Sequence, residues 1–139
     1  MTTIVWDGET LATDSQVSFN DLKIVQKKAV RLSKRRLLAV CGDIGVMPAL
    51  AGCIERDAPT KEYPKGDYGA FLVTRTAALT LSEGEWIVTS APYACGSGSM
   101  AALAGLSLGL DAKEACELAC KVDLYSGPPV VLYSAKVKG

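Results

Sequence analysis

The chain has 139 residues, 49% of them hydrophobic, which fits a single domain spanning residues 1–139 with a sizeable core. Fifteen basic residues balance fifteen acidic ones, so no global field draws the protein to nucleic acid or to an anionic membrane. Histidine is absent, which removes every serine or cysteine mechanism built on an imidazole base, and most zinc sites.

The chain opens with Met1-Thr2-Thr3-Ile4-Val5-Trp6, a threonine behind the initiator methionine at the mouth of an apolar strand. If Met1 is removed, Thr2 carries a free α-amine beside its hydroxyl. A threonine hydroxyl is a weak nucleophile at neutral pH, and one way to activate it is to let the chain's own terminal amine take its proton. Asp7-Gly8 then predicts a tight type I′ hairpin between residues 2–6 and 9–18. Asp14 falls inside the second of these strands, where an aspartate is out of place. From this alone it suits a strand end or a bulge on a solvated face.

Residues 23–32 alternate as a strand that puts Lys28 on the face of Ile24, Val30 and Leu32. A lysine held there is desolvated and needs an anion close by; a kink near Gln26 that turns it outward fits the pattern equally well. A short apolar strand, residues 35–40, runs into Cys41-Gly42-Asp43-Ile44-Gly45. These glycines suit either a plain turn or backbone amides aimed at an oxyanion. A helix over residues 46–56 tolerates Pro48 in its first turn, and residues 60–67 form a polar loop.

Strands are expected at residues 68–76, 78–82 and 85–89, with a turn at Glu83-Gly84 joining the last two. A small-residue helix covers residues 99–108. Asp111 with Glu114 forms a capping box that starts another helix, packed antiparallel on the first. Residues 128–137 make a terminal strand. Strands, a helix, strands, two helices and a strand, in that order, indicate an α+β fold of antiparallel sheets with helices outside them.

Five cysteines (Cys41, Cys53, Cys95, Cys116, Cys120) include no C-x-x-C pair and read as reduced thiols in a reducing compartment, the cytoplasm. Cys116 and Cys120, one helical turn apart, suit core packing better than half a metal site. No signal peptide is expected, and the apolar run over residues 93–110 is broken by glycines and hydroxyl residues, unlike a membrane span. Gly96-Ser97-Gly98-Ser99-Met100-Ala101 satisfies G-x-G-x-x-A, a dinucleotide-binding pattern, but a second helix follows where a βαβ unit needs a strand.

Taken together, Thr2-Thr3-Ile4-Val5, Asp14-Ser15-Gln16-Val17, Lys27-Lys28 with Val30-Arg31-Leu32, Gly42-Asp43, Gly96-Ser97-Gly98-Ser99 and Asp123-Leu124-Tyr125-Ser126-Gly127 resemble, in order, the proteasome β-subunit family of N-terminal nucleophile hydrolases. Its short HslV-type members are the most similar. The resemblance implies a four-layer αββα sandwich of two antiparallel sheets, with one outer helix missing because residues 56–68 are too few to form it. It implies threonine-type amide hydrolysis with Thr2 as nucleophile, Lys28 as the charge that eases its ionisation and Asp14 as the partner of that lysine. Ser97, Asp123 and Ser126 match residues around the terminal amine, and the oxyanion donor is expected as a backbone amide near Ala39 or Gly42. No cofactor is implied. The expected partners are a peptide or protein substrate, copies of the same chain in a self-compartmentalising ring, and an ATPase unfoldase where one exists. The same fold with Met1 retained would instead be a non-catalytic assembly protein.

Overall fold

The computed structural model describes residues 2–19 and 22–138. Its two larger sheets are antiparallel. One has four strands in the order β10-β1-β2-β11, built from β1 (Thr3–Trp6), β2 (Thr10–Thr13), β10 (Tyr93–Gly96) and β11 (Val131–Ser134). The other has five in chain order: β5 (Ala29–Leu32), β6 (Arg36–Gly42), β7 (Tyr68–Val73), β8 (Ala78–Ser82) and β9 (Glu85–Val88). A separate two-stranded ribbon joins β3 (Gln16–Phe19) to β4 (Leu22–Val25).

Alternation along the central strands shows how the layers stack. In β1, Ile4 and Trp6 face the other sheet, where they meet Leu37, Ala39 and Phe71, while Val5 points outward to Ala102, Ala115 and Ala119. In β6, Leu37 and Ala39 face inward, and Leu38 and Val40 face Leu50 and Ile54 of the first helix, α1 (Met47–Glu55). Both strands are covered on both faces, so they read as unbroken apolar runs. The other cover is α2 (Ser99–Ser107) with α3 (Ala112–Val122), whose buried stripe of Ala112, Ala115, Cys116 and Ala119 has helical spacing. The order is thus α1, five-stranded sheet, four-stranded sheet, α2 with α3: the four layers expected. The α1 layer holds one α-helix among the described residues.

Several expectations need correction. The β1–β2 turn has positive φ only at Gly8, not at two residues, and the Asp7 carboxylate holds it by accepting from the Glu9 and Thr10 amides at 2.9 and 2.8 Å. The strand expected over residues 9–18 breaks into β2 and β3 at Asp14, whose backbone and carboxylate both turn to Thr3. The strand expected over residues 23–32 likewise breaks at residues 26–28, and the kink turns Lys28 inward. Tyr93–Gly96 is an unforeseen strand that completes the four-stranded sheet beside β1. The capping box at Asp111 forms as expected. Among the described residues, no helix is long and apolar enough to cross a membrane.

Candidate active site

Thr2 stands just before β1 and is buried, and among the described residues its Oγ1 has no hydrogen-bond partner. A buried hydroxyl left unpaired costs about 1–3 kcal/mol, so its presence calls for a reason. Beside it the first break in the strands puts Asp14 to work. One carboxylate oxygen accepts from the Thr3 amide at 2.9 Å and from the Lys28 ammonium at 2.8 Å. The other accepts from the Gln16 and Gly127 amides at 3.2 and 3.1 Å. Lys28 also donates to the Gln16 carbonyl at 2.6 Å. Both side chains of the ion pair are fully buried.

Burial pulls the Lys28 pKa down, and the hydrogen bond and charge of Asp14 oppose that without cancelling it. The pair therefore holds a proton less firmly than a surface lysine would, directly under the strand that begins at Thr3. The kink at residues 26–28 is what makes this possible, because an unbroken strand would have sent Lys28 toward the α1 layer with Val30 and Leu32.

A second polar chain closes the site from the C-terminal end of α3. The Asp123 carboxylate accepts from Ser97 Oγ and Ser126 Oγ, each at 2.6 Å. Ser126 has one hydroxyl proton and gives it to Asp123, so Thr3 Oγ1 is the donor in its 2.6 Å contact with Ser126 Oγ. Burial would raise the Asp123 carboxyl, but the hydrogen bonds from Ser126 and Ser97 outweigh it and hold the pKa below the usual value.

Thr2 also lines an open cleft of about 360 Å³ with Cys41, Gly42, Asp67, Tyr68, Gly69, Gly96 and Ser97. Gly42 is required here, since its φ is +85° and a Cβ would lie 2.6 Å from the Asp67 carbonyl oxygen. Gly96 is required too, because a side chain would strike the Thr2 carbonyl. Gly98 has its empty side filled by Thr3 Oγ1 and Ala119. The glycines of the G-x-G-x-x-A run thus pack against the chain's own first strand, and β10 pairs antiparallel with β1, not within a βαβ unit.

The structure therefore gathers Thr2, Gly42 and Ser97 around one cleft, Asp14 and Lys28 beneath it, and Asp123 and Ser126 at its side. Ala39 does not join them. It lies in the middle of β6 between Ala29 and Phe71, its side chain in the core between the sheets. Sequence reasoning missed the individual parts played by Thr3, Gln16 and Gly127, which act largely through backbone groups that any residue type supplies. It also missed Cys41, Asp67, Tyr68 and Gly69 as walls of the cleft. Among the described residues no group of histidine, cysteine, aspartate or glutamate side chains could hold a metal ion.

No family model matches the chain, and no curated protein does. Solved structures do. The chain is similar to BPH of Thiobacillus denitrificans, with TM-score 0.77 and 20% identity over 99% of this chain and 98% of that one. It is similar to BPH in complex with epoxomicin, with TM-score 0.74 and 19% identity over 99% of each chain. It is also similar to the eukaryotic HslV of Trypanosoma brucei, with TM-score 0.69 and 20% identity over 95% of this chain and 97% of that one. At every layer, the chain carries the αββα fold of the proteasome-like, HslV-type proteins.

Proposed function

We propose that this chain is a threonine-type peptidase or amidohydrolase whose nucleophile is Thr2 once Met1 has been removed. The observation that carries this is the fully buried Asp14–Lys28 pair tied to the amide next to Thr2, whose hydroxyl has no hydrogen-bond partner among the described residues. A buried ion pair is weak support for stability, and one set beneath an unused hydroxyl suits chemistry.

The freed α-amine, with a pKa of about 8, takes the Thr2 proton directly or through a water held by Ser97, Asp123 and Ser126. The neighbouring ammonium of Lys28 favours the ionised oxygen. Thr2 Oγ bonds to the substrate carbonyl carbon, the amide C–N bond breaks, and the leaving nitrogen takes the proton. Water then hydrolyses the ester and returns Thr2.

Gly42, not Ala39, supplies the oxyanion donor. The Val40 amide donates to the Lys28 carbonyl at 3.0 Å, so alternation carries the Gly42 amide to the same edge of β6, beyond the point where β5 begins. Epoxomicin, a threonine protease inhibitor, is bound in a structure with this fold, which supports the same chemistry here. The substrate is a peptide or protein, the working form a homo-oligomer, and the free cysteines suit the cytoplasm.

Intact mass of the purified protein before and after epoxomicin tests this. Loss of Met1 and one adduct on Thr2, abolished in Thr2→Ala and Lys28→Ala, is the expected result. A retained Met1 with no adduct would assign the chain to the non-catalytic assembly role.

A further inference from the structure

Strand β6 has a cavity at each end. Gly42 lines the Thr2 cleft, and Leu37, about 17 Å back along the same strand, lines a separate cavity of about 400 Å³. Leu37, Val73 and Ala135 belong to the core between the two larger sheets, so this second cavity opens where the gap between those sheets reaches the surface. Around these three stand Arg31, Arg35, Arg75, Lys136 and Lys138, and no acidic residue lines the cavity. A chain with fifteen basic and fifteen acidic residues thus sets five of its cations around one opening. Among the described residues these five make a single ion pair, Lys136 with Glu9 at 3.6 Å on the open surface.

The walls are held by the protein's own bonds. Arg31, opposite Leu37 in the β5–β6 pair, donates to the Ser134 carbonyl at 2.9 Å and lies 5.9 Å from the centre of the Tyr133 ring. One wall from each sheet is therefore joined through this guanidinium, which keeps further N–H groups for a ligand. The Lys138 amide donates to the Arg75 carbonyl at 2.9 Å, tying the segment after β11 to the β7–β8 turn. Thr74 closes that turn by accepting from the Ala77 amide at 3.0 Å. Lys34 and Arg35 turn β5 into β6 with φ of 58° and 57°, a left-handed pair where Asn-Gly is usual and long side chains are costly.

We propose that this cavity binds a small anion carrying a chain of two or three phosphates. A guanidinium fork matches two phosphate oxygens at once and an ammonium adds a point charge, so three arginines and two lysines at one opening suit such a chain. A concave site of this volume takes a molecule, whereas a polymer or a membrane needs a broad face. Its apolar inner side concentrates the field of the cations on whatever enters. A nucleotide and a free polyphosphate both carry the required group, and their relative affinities tell them apart. Thr2 has no use for such an ion, so this site stands or falls apart from the hydrolysis proposed above.

Isothermal titration calorimetry of the full chain with sodium tripolyphosphate, and separately with metal-free ATP, tests this at about 50 mM salt. The expected result is one ion bound per chain, more weakly at about 150 mM salt. Arg75 is exposed, so Arg75→Gln should leave the melting temperature unchanged and weaken binding roughly tenfold. Lys113→Gln with Lys121→Gln removes two exposed charges from α3 and should weaken binding less than about twofold. Tighter binding of ATP than of tripolyphosphate assigns the site to a nucleotide, and equal or weaker binding assigns it to a free polyphosphate. No binding of either probe at the lower salt overturns the proposal. So does equal weakening by the α3 pair, which would mean that the ion follows net charge and not the cavity. Tighter binding of a short RNA duplex or of anionic vesicles, lost in Arg75→Gln, also overturns it by assigning the face to a macromolecule.

Discussion

At the scale of single residues, the site is organised by one carboxylate. Asp14 receives three backbone amides and one ammonium, so deleting it takes an acceptor from four donors at once, while deleting Lys28 still leaves Asp14 with three amides. Asp14→Ala should therefore cost about 3–5 kcal/mol in urea unfolding, and Lys28→Met distinctly less. The opposite order would show that the lysine, not the carboxylate, holds this region together. Asp123 gives a pH test. Its folded pKa is lowered below 3.8, so its bonds to Ser97 and Ser126 contribute stability that is fully present above that value and lost as pH falls through the folded pKa. The gap in melting temperature between wild type and Asp123→Asn should stay level from neutral pH to about 5 and close in stronger acid. A gap that widens in acid would mean the carboxylate is not held in its ionised form. The interrupted strand marked Asp14 but read as a solvated face, whereas the residue is fully buried; its pairing with Lys28, like the part of Asp123, was legible only through the family resemblance. The parts of Thr3, Gln16 and Gly127 were not legible, because a backbone donor leaves no mark on the choice of residue.

At the scale of elements, the strands that the sequence placed well are the ones whose faces differ in polarity or whose ends carry glycine. The errors came where alternation continued across a break: residues 23–32 alternate on paper, yet residues 26–28 leave the ladder to bring Lys28 under the site. Periodicity reports which face a strand would bury, and it is blind to a bend imposed by a partner elsewhere in the chain. Tyr93–Gly96 escaped for a related reason, since its four residues include no Val, Ile or Thr to mark a strand and its partner, β1, is far away in the sequence. One joint between elements was also invisible. Asp7 holds the β1–β2 turn and, through its other oxygen, accepts from the Ala112 amide at 3.0 Å at the start of α3. The N-terminus of α3 thus receives Asp7 in addition to its own capping box. Asp111→Ala should cost about 1 kcal/mol, as a lone cap does, and Asp7→Ala should cost more because it frees the turn and the helix end together. Equal losses in thermal unfolding would show that the two carboxylates are redundant.

At the scale of the whole molecule, the four layers follow from the sequence because three cores need three sets of apolar faces, and the strands and helices supply them in the right order. What no layer accounts for is the ribbon of β3 and β4. All of Leu22–Val25 is exposed, with Leu22 at 65% and Val25 at 70%, and Ile24 is exposed beside them. A cluster of large apolar side chains in water is unusual for a monomer, and an edge strand with free backbone groups invites another chain. The ribbon is therefore the natural contact for the homo-oligomer proposed above. Changing Leu22 and Val25 together to glutamate should leave the melting temperature of the isolated subunit almost unchanged, because neither side chain is buried in the chain's own core. The same change should shift the particle from an oligomer to a monomer in light scattering on a sizing column, since two charges would have to be desolvated in every contact. If the wild type already runs as a monomer at the concentrations used for labelling, or the double variant assembles as before, the ribbon is not the contact. If the variant is monomeric and epoxomicin still modifies Thr2 at the original rate, then each subunit carries its whole site, and assembly governs only which substrates reach it.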